Sequence, residues 1–152
     1  MALLREKIVA AAARTFIVLV DHKKCVPVLG TPMPVPVEVT PFGWPQSAKQ
    51  LQALGGVPTL REKQGTVFET DGGHYILDFL VDSIKDPGEL EARLNRIPGV
   101  VENGLFVDRT STLIIGSPDG VQIKHCSSSA TSSAPHEPNT CLLYTSPSPR
   151  DS

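Results

Sequence analysis

The chain has 152 residues, 40% of them hydrophobic, and a net charge of −2, which suits one domain or two small ones with enough apolar material for a core. That charge excludes the basic footprint of a phosphate-backbone binder, and no apolar run approaches the roughly 20 residues of a membrane span. Three cysteines, at 25, 126 and 141, make no disulfide framework and point to a reducing, cytoplasmic setting.

Arg5 and Lys7 precede the apolar run Ile8 to Ala13, a superficial likeness to a secretory leader. The run is short, Glu6 sits among the cations and Arg14 interrupts it, so an amphipathic helix fits better. Leu4, Ile8, Ala11, Ala12 and Thr15 recur at helical spacing and mark its expected apolar stripe. Phe16 to Val20 is an unbroken apolar run, the pattern of a strand covered on both faces of a parallel sheet. Asp21-His22-Lys23-Lys24 follows at its carboxyl end, where open α/β sheets place ligands. No second such strand is evident to pair with it in parallel.

From Pro32 the texture changes. Val35-Pro36-Val37-Glu38-Val39 alternates like an edge or half-exposed strand. Ser47 is the expected cap of a short helix carrying Ala48, Leu51 and Leu54, which Gly55-Gly56 ends. Extended stretches are expected near 59–63 and 66–69, then a turn at Asp71-Gly72 and a strand from His74 to Val81. Asp86 caps the next helix with Pro87 at its first position; Leu90, Leu94 and Ile97 form its inner stripe. Val100 to Phe106 reads as a further strand, completing the element order of a small ferredoxin-like α+β sandwich. Thr112–Gly116 and Val121–Lys124 flank the turn Pro118-Asp119-Gly120 and can return the chain to the first sheet.

Beyond Lys124 the pattern stops. Ser, Thr and Pro make up 15 of the 28 residues from His125 to Ser152, too little apolar surface to offset the entropy of ordering. The run from Cys141 to Asp151 looks like a translated sequencing adapter, and a disordered tail without evolved function is expected there.

These stretches, in this order, resemble ribose-5-phosphate isomerase, type A: Leu4-Arg5-Glu6-Lys7-Ile8-Val9, Asp21 through Lys24 with Leu29-Gly30, Pro36-Val37-Glu38-Val39, Thr70-Asp71-Gly72-Gly73, Ile97-Pro98-Gly99-Val100-Val101 and Gly104-Leu105-Phe106. The resemblance implies an α/β fold, the remnant of a parallel-sheet α/β domain plus an inserted ferredoxin-like α+β domain. The expected division is 1–31 for the partial α/β domain, 32–106 for the ferredoxin-like domain, 107–124 for returning strands and 125–152 for the tail. It further implies interconversion of ribose 5-phosphate and ribulose 5-phosphate without metal or cofactor, and a homo-oligomeric full-length family whose partner is a small sugar phosphate, neither nucleic acid nor membrane. In that family the glutamate of the stretch matched by Leu4 to Lys7 is the base, which places the role on Glu6; the substrate-binding lysine falls on Lys24.

Each residue also has a plainer reading. Glu6 in a first helical turn is what the macrodipole favours, and Lys24 in a short charge run is ordinarily solvated. Asp21 and His74 read as turn residues, and Cys25 as an inert small hydrophobe. His125, Cys126, His136 and Cys141 match no zinc spacing. The family's N-terminal threonine loop, its paired aspartates and its Lys-Gly-Gly-Gly stretch do not occur, so the match corresponds to about the C-terminal half of the family's chain. Negligible isomerase activity is therefore expected of this chain, because donors aimed at developing charge are often the largest catalytic term. The alternatives are a non-enzymatic ferredoxin-like module binding a small ligand or partner, and a chain without function whose unpaired strand edge promotes aggregation.

Overall fold

A computed structural model describes residues 3–25, 29–30, 33–125 and 143–144. Helix α1 (Leu3–Ala12) leads into strand β1 (Ile17–Asp21), which a single 3-10 turn (His22–Lys24) follows. After the short strand β2 (Leu29–Gly30) come β3 (Val35–Val39), α2 (Trp44–Ala53), β4 (Val57–Leu60), β5 (Glu62–Lys63) and β6 (Thr66–Val67). The chain continues through β7 (Tyr75–Leu80), β8 (Ser83–Ile84), α3 (Pro87–Asn95), β9 (Val100–Asn103) and β10 (Leu105–Phe106). Strands β11 (Thr112–Ser117), β12 (Gly120–His125) and β13 (Leu143–Tyr144) complete it.

The dominant layer is a four-stranded antiparallel sheet in the order β4-β7-β3-β9. With α2 and α3 as the two crossovers, this is the ferredoxin-like arrangement. Val35, Val37, Val39, Leu77 and Phe79 point from one face into a core shared with Leu51, Leu94 and Ile97. All five residues of β3 are buried, so the expectation of an edge or half-exposed strand is corrected. The alternation is real, but β3 lies between β7 and β9 and both its faces are covered.

Local signals are met at α3 and missed at α2. The Asp86 carboxylate accepts the Glu89 N–H at 2.9 Å, the expected cap. Helix α2 instead begins at Trp44, capped by Gly43 in the left-handed conformation. Ser47 lies inside the helix and its hydroxyl donates to the Pro98 carbonyl at 3.0 Å, tying α2 to the turn after α3. At that turn Gly99 has φ +90° and a Cβ would lie 2.6 Å from the Ser47 hydroxyl, so both conformation and space require glycine. The strand expected over 100–106 is broken after Asn103. The Gly104 N–H bonds the Pro36 carbonyl, and the Asn103 side chain accepts the Leu105 N–H.

A second sheet has the order β1-β11-β12. β1 runs parallel to β11 in the register Ile17↔Thr112 through Asp21↔Gly116, so a parallel partner does exist. It comes from the far end of the chain, which local periodicity does not reveal. The chain thus leaves one sheet, builds the other and returns. Coverage on both faces is also corrected: Ile17 and Leu19 are 50% and 73% exposed, and only alternate residues turn inward.

Helix α1 packs on the four-stranded sheet through Leu3, Lys7 and Ala10, one residue out of phase with the expected stripe, while Ile8 and Val9 are exposed. A buried lysine inverts the reading. Its ammonium bonds Glu91 and Glu102 at 2.9 and 2.7 Å and Asn103 at 3.2 Å, and it sits over the Phe106 ring. With its charge paired, its long stem serves as apolar surface.

The disordered-tail expectation is corrected at two places. His125 closes β12, and Leu143–Tyr144 pair antiparallel with Leu105–Phe106. An unpaired strand edge templates pairing with an apolar segment, and Leu142-Leu143-Tyr144 is the tail's apolar run. Residues 126–142 and 145–152 lie outside the described residues.

Candidate active site

The first turn of α1 is fixed from both sides. Arg5 reaches Asp71, in the loop before β7, at 3.4 Å. Lys7 is anchored on Glu91 and Glu102. Glu6 lies between them in sequence, open to solvent but with part of its surroundings taken up by protein. The surrounding protein displaces enough water to push its carboxyl above the ordinary value; the N-terminal ammonium acts the other way, and the Glu38 carboxylate, the smallest of the three influences, adds to the rise. A carboxyl so displaced is a better proton acceptor than one free in water.

Glu38, on β3, is 2% exposed. Its Oε1 accepts the Thr70 hydroxyl at 2.9 Å and lies 2.9 Å from His74 Nδ1. His74 is thus half-buried against a carboxylate rather than a bare turn residue. Thr70 holds the turn in shape, its hydroxyl accepting the Gly72 and His74 N–H groups. Neither Glu38 nor His74 was marked by sequence as a site residue. The available signal was weak: an acidic residue on the outward phase of a strand otherwise rich in valine.

The second cluster lies at the carboxyl edge of β1 and β11. Asp21 accepts the Lys23 N–H at 2.8 Å, which holds its carboxyl below the ordinary value, with the Lys23 and Lys24 charges acting the same way. Val20, Asp21, His22, Lys23, Gly116, Ser117 and Pro118 line an open hollow of about 460 Å³. Lys24 is exposed in the 3-10 turn beside it and makes no hydrogen bond or ion pair among the described residues. Cys25 is exposed, not packed as a small hydrophobe. Neither this hollow nor a second of about 260 Å³ between α2 and α3 is lined by Glu6 or Lys24. Among those residues, no group of three or more His, Cys, Asp or Glu side chains converges as for a metal ion, and no helix is long and apolar enough to cross a membrane.

A parallel pair of strands extended by a hairpin, a ferredoxin-like sheet and a helix joining them define an α/β protein with ionisable groups at its strand ends and helix start. The chain belongs to the ribose 5-phosphate isomerase A (phosphoriboisomerase A) family, whose model matches residues 1–120. It is 52% identical to the ribose-5-phosphate isomerase A of Gloeobacter violaceus, over 80% of this chain and 53% of that protein. It is 48% identical to that of Gluconobacter oxydans, over 80% and 53%. Among solved structures, ribose 5-phosphate isomerase A from Methanocaldococcus jannaschii superposes with a TM-score of 0.77 at 37% identity, covering 82% of this chain and 55% of that one. A D-ribose-5-phosphate isomerase in complex with phospho-erythronic acid gives 0.76 at 40% identity, covering 80% and 54%. The chain spans about half the length of the curated relatives it matches.

Proposed function

We propose that this chain carries the proton-transfer part of an aldose–ketose isomerase acting on ribose 5-phosphate and ribulose 5-phosphate, with Glu6 as the base and Lys24 as a substrate-binding cation. The observation that carries the reading is Glu6 itself. It lies in a stretch that the family model matches, and its proton affinity is raised by burial. Moving a carbonyl between adjacent carbons requires a base that takes a proton from C2 of the aldose and returns it to C1, through an enediolate. One carboxylate can serve both carbons if it reaches both. A lysine at a strand end offers an ammonium to phosphate or to a sugar oxygen.

This reading divides the chain into an α/β part, 1–31 with 107–124, and a ferredoxin-like part, 32–106. It also makes the protein a cytoplasmic enzyme that assembles with copies of itself in its full-length form. The experiment is a paired measurement on the 152-residue chain. Phospho-erythronic acid, the ligand held by a structural relative, is titrated by calorimetry against the chain and its Lys24→Ala variant, while ribose 5-phosphate turnover is followed separately. Binding at least tenfold weaker in the variant, with negligible turnover, is expected. Undiminished binding removes Lys24 from the site, and turnover that survives Glu6→Gln removes Glu6 as the base.

A further inference from the structure

The three-stranded sheet is apolar across the width of one face. Directly opposed residues on neighbouring strands point to the same side of a sheet, and residues two apart along a strand do likewise. The register therefore sets Leu19, Ile114 and Ile123 in one row, with Ile17 and Val121 on the same side in the rows that flank it. Four of these five, Ile17, Leu19, Val121 and Ile123, are half or more exposed. Ionisable groups on this face stand only at its margins, Asp21 at the end of β1 and His125 at the end of β12. The opposite face differs: there Val20 pairs with Ile115, and Ile115 is 8% exposed.

Contiguous exposed apolar surface with a polar rim marks a site of interaction. Two further features narrow what fits it. β1 and β11 run parallel, and sheets built on parallel strands are ordinarily covered on both faces by helices. β1 also has a strand on one side only among the described residues, so its other edge can accept a further strand. The occupant called for is thus an α/β segment, bringing a helix for the face and a strand for the edge. A second copy of this chain would offer the face only another bare sheet. The matched relatives carry additional chain of sufficient length: the match covers 53% of the Gloeobacter violaceus enzyme and 55% of the Methanocaldococcus jannaschii chain.

We infer that this face and the open edge of β1 form a docking surface for the part of a ribose-5-phosphate isomerase A that lies outside the match, taken up as a separate polypeptide. A helix of that polypeptide covers Leu19, Ile114 and Ile123, and docking there sets it beside the Asp21–Lys24 end of β1. The inference rests on the family match and on the sheet, not on the roles given to Glu6 and Lys24.

The test co-expresses the 152-residue chain with the unmatched part of the Gloeobacter violaceus enzyme as a second polypeptide. A one-to-one complex is expected on co-purification and in sedimentation, with hydrogen exchange in β1 slowed only when the second polypeptide is present. Ile123→Glu, on the open face, is expected to weaken the complex at least tenfold. Gln122→Glu adds the same charge to the opposite face of β12 and is expected to leave it unchanged. If Ile123→Glu does not fold, Leu19→Ser takes its place. Recovery of the chain without the second polypeptide overturns the inference, as does equal weakening by the two position-122 and position-123 variants. Self-association of the chain alone that Ile123→Glu abolishes gives the face to a second copy, and β1 exchange already slow in the monomeric chain alone gives it to the chain's own residues; either overturns the inference. Turnover of ribose 5-phosphate is followed in the same complex. A complex without turnover sinks the isomerase reading alone, and phospho-erythronic acid binding by a chain that forms no complex sinks this one alone.

Discussion

The four-stranded sheet hides residues on both faces, Val37, Leu77 and Phe79 on one and Glu38 and Ile76 on the other, whereas the three-stranded sheet leaves Ile17, Leu19, Val121 and Ile123 in the open. The two differ in what covers them rather than in strand chemistry. β3 and β1 are both rich in valine and other apolar residues, yet β3 lies between β7 and β9 and carries helices on one face and α1 on the other. β1 is an edge among the described residues, with β11 on one side. Apolar content sets what a strand can bury; its place in the sheet sets what it does bury. The stability of this chain should therefore reside almost wholly in the first sheet.

The sharpest way to break that comparison is a core truncation. Phe79 is fully buried, and its ring also lies 2.5 Å from where a Cβ on Gly56 would sit. Phe79→Ala is expected to cost about 4 kcal/mol in urea unfolding. Leu19→Ser, on the open face of β1, is expected to change stability by no more than about 0.5 kcal/mol. Comparable losses at both positions would show that the second sheet shares the same core.

Next in size is the contact between α1 and the first sheet. Lys7 is nearly fully buried while Glu91 and Glu102 keep partial exposure. Lys7→Ala leaves two carboxylates facing one another, and a loss of about 3 kcal/mol is expected. Adding Glu102→Gln should recover part of it, and a double-mutant cycle on the two positions measures how much. A single-variant loss under 1 kcal/mol would mean that the helix is held by Leu3 and Ala10 alone. Smaller again is the cap of α3: Asp86→Ala is expected to cost about 1 kcal/mol in the same unfolding measurement.

What could be read from the sequence divides along the same line. The ferredoxin-like unit was legible because its signals are local: the Asp86-Pro87 start, the Pro98-Gly99 stop and the turns that order its strands. The β1–β11 pairing was not, because the partners are joined by the entire intervening unit and parallel pairing leaves no turn to mark it. Lys7 was misplaced for a different reason. Periodicity counts a lysine as polar, and its burial depends on two carboxylates contributed by α3 and β9. Family resemblance singled out Glu6 and Lys24, and the fold sets one on a helix start and the other beyond a strand end. Glu38 escaped because an alternating strand gives no sign that its polar phase will be covered.

The smallest expected effect concerns Glu6 and separates its electrostatics from its packing. Burial raises its carboxyl above the ordinary value of 4.5, so the folded chain binds that proton more tightly than the unfolded chain does. Below pH 4.5 both states hold the proton and the contribution is fully present. As pH rises through the folded-state value the proton leaves, and the contribution is lost. Glu6→Gln carries no charge at any pH and escapes this loss. The variant should therefore be the more stable of the two at neutral pH, with the gap closing as both are unfolded at progressively lower pH. A gap independent of pH would assign the effect to packing or helix propensity. A gap that opened towards acid would mean that the folded chain prefers the charged form, leaving the first turn of α1 no reason to hold a base.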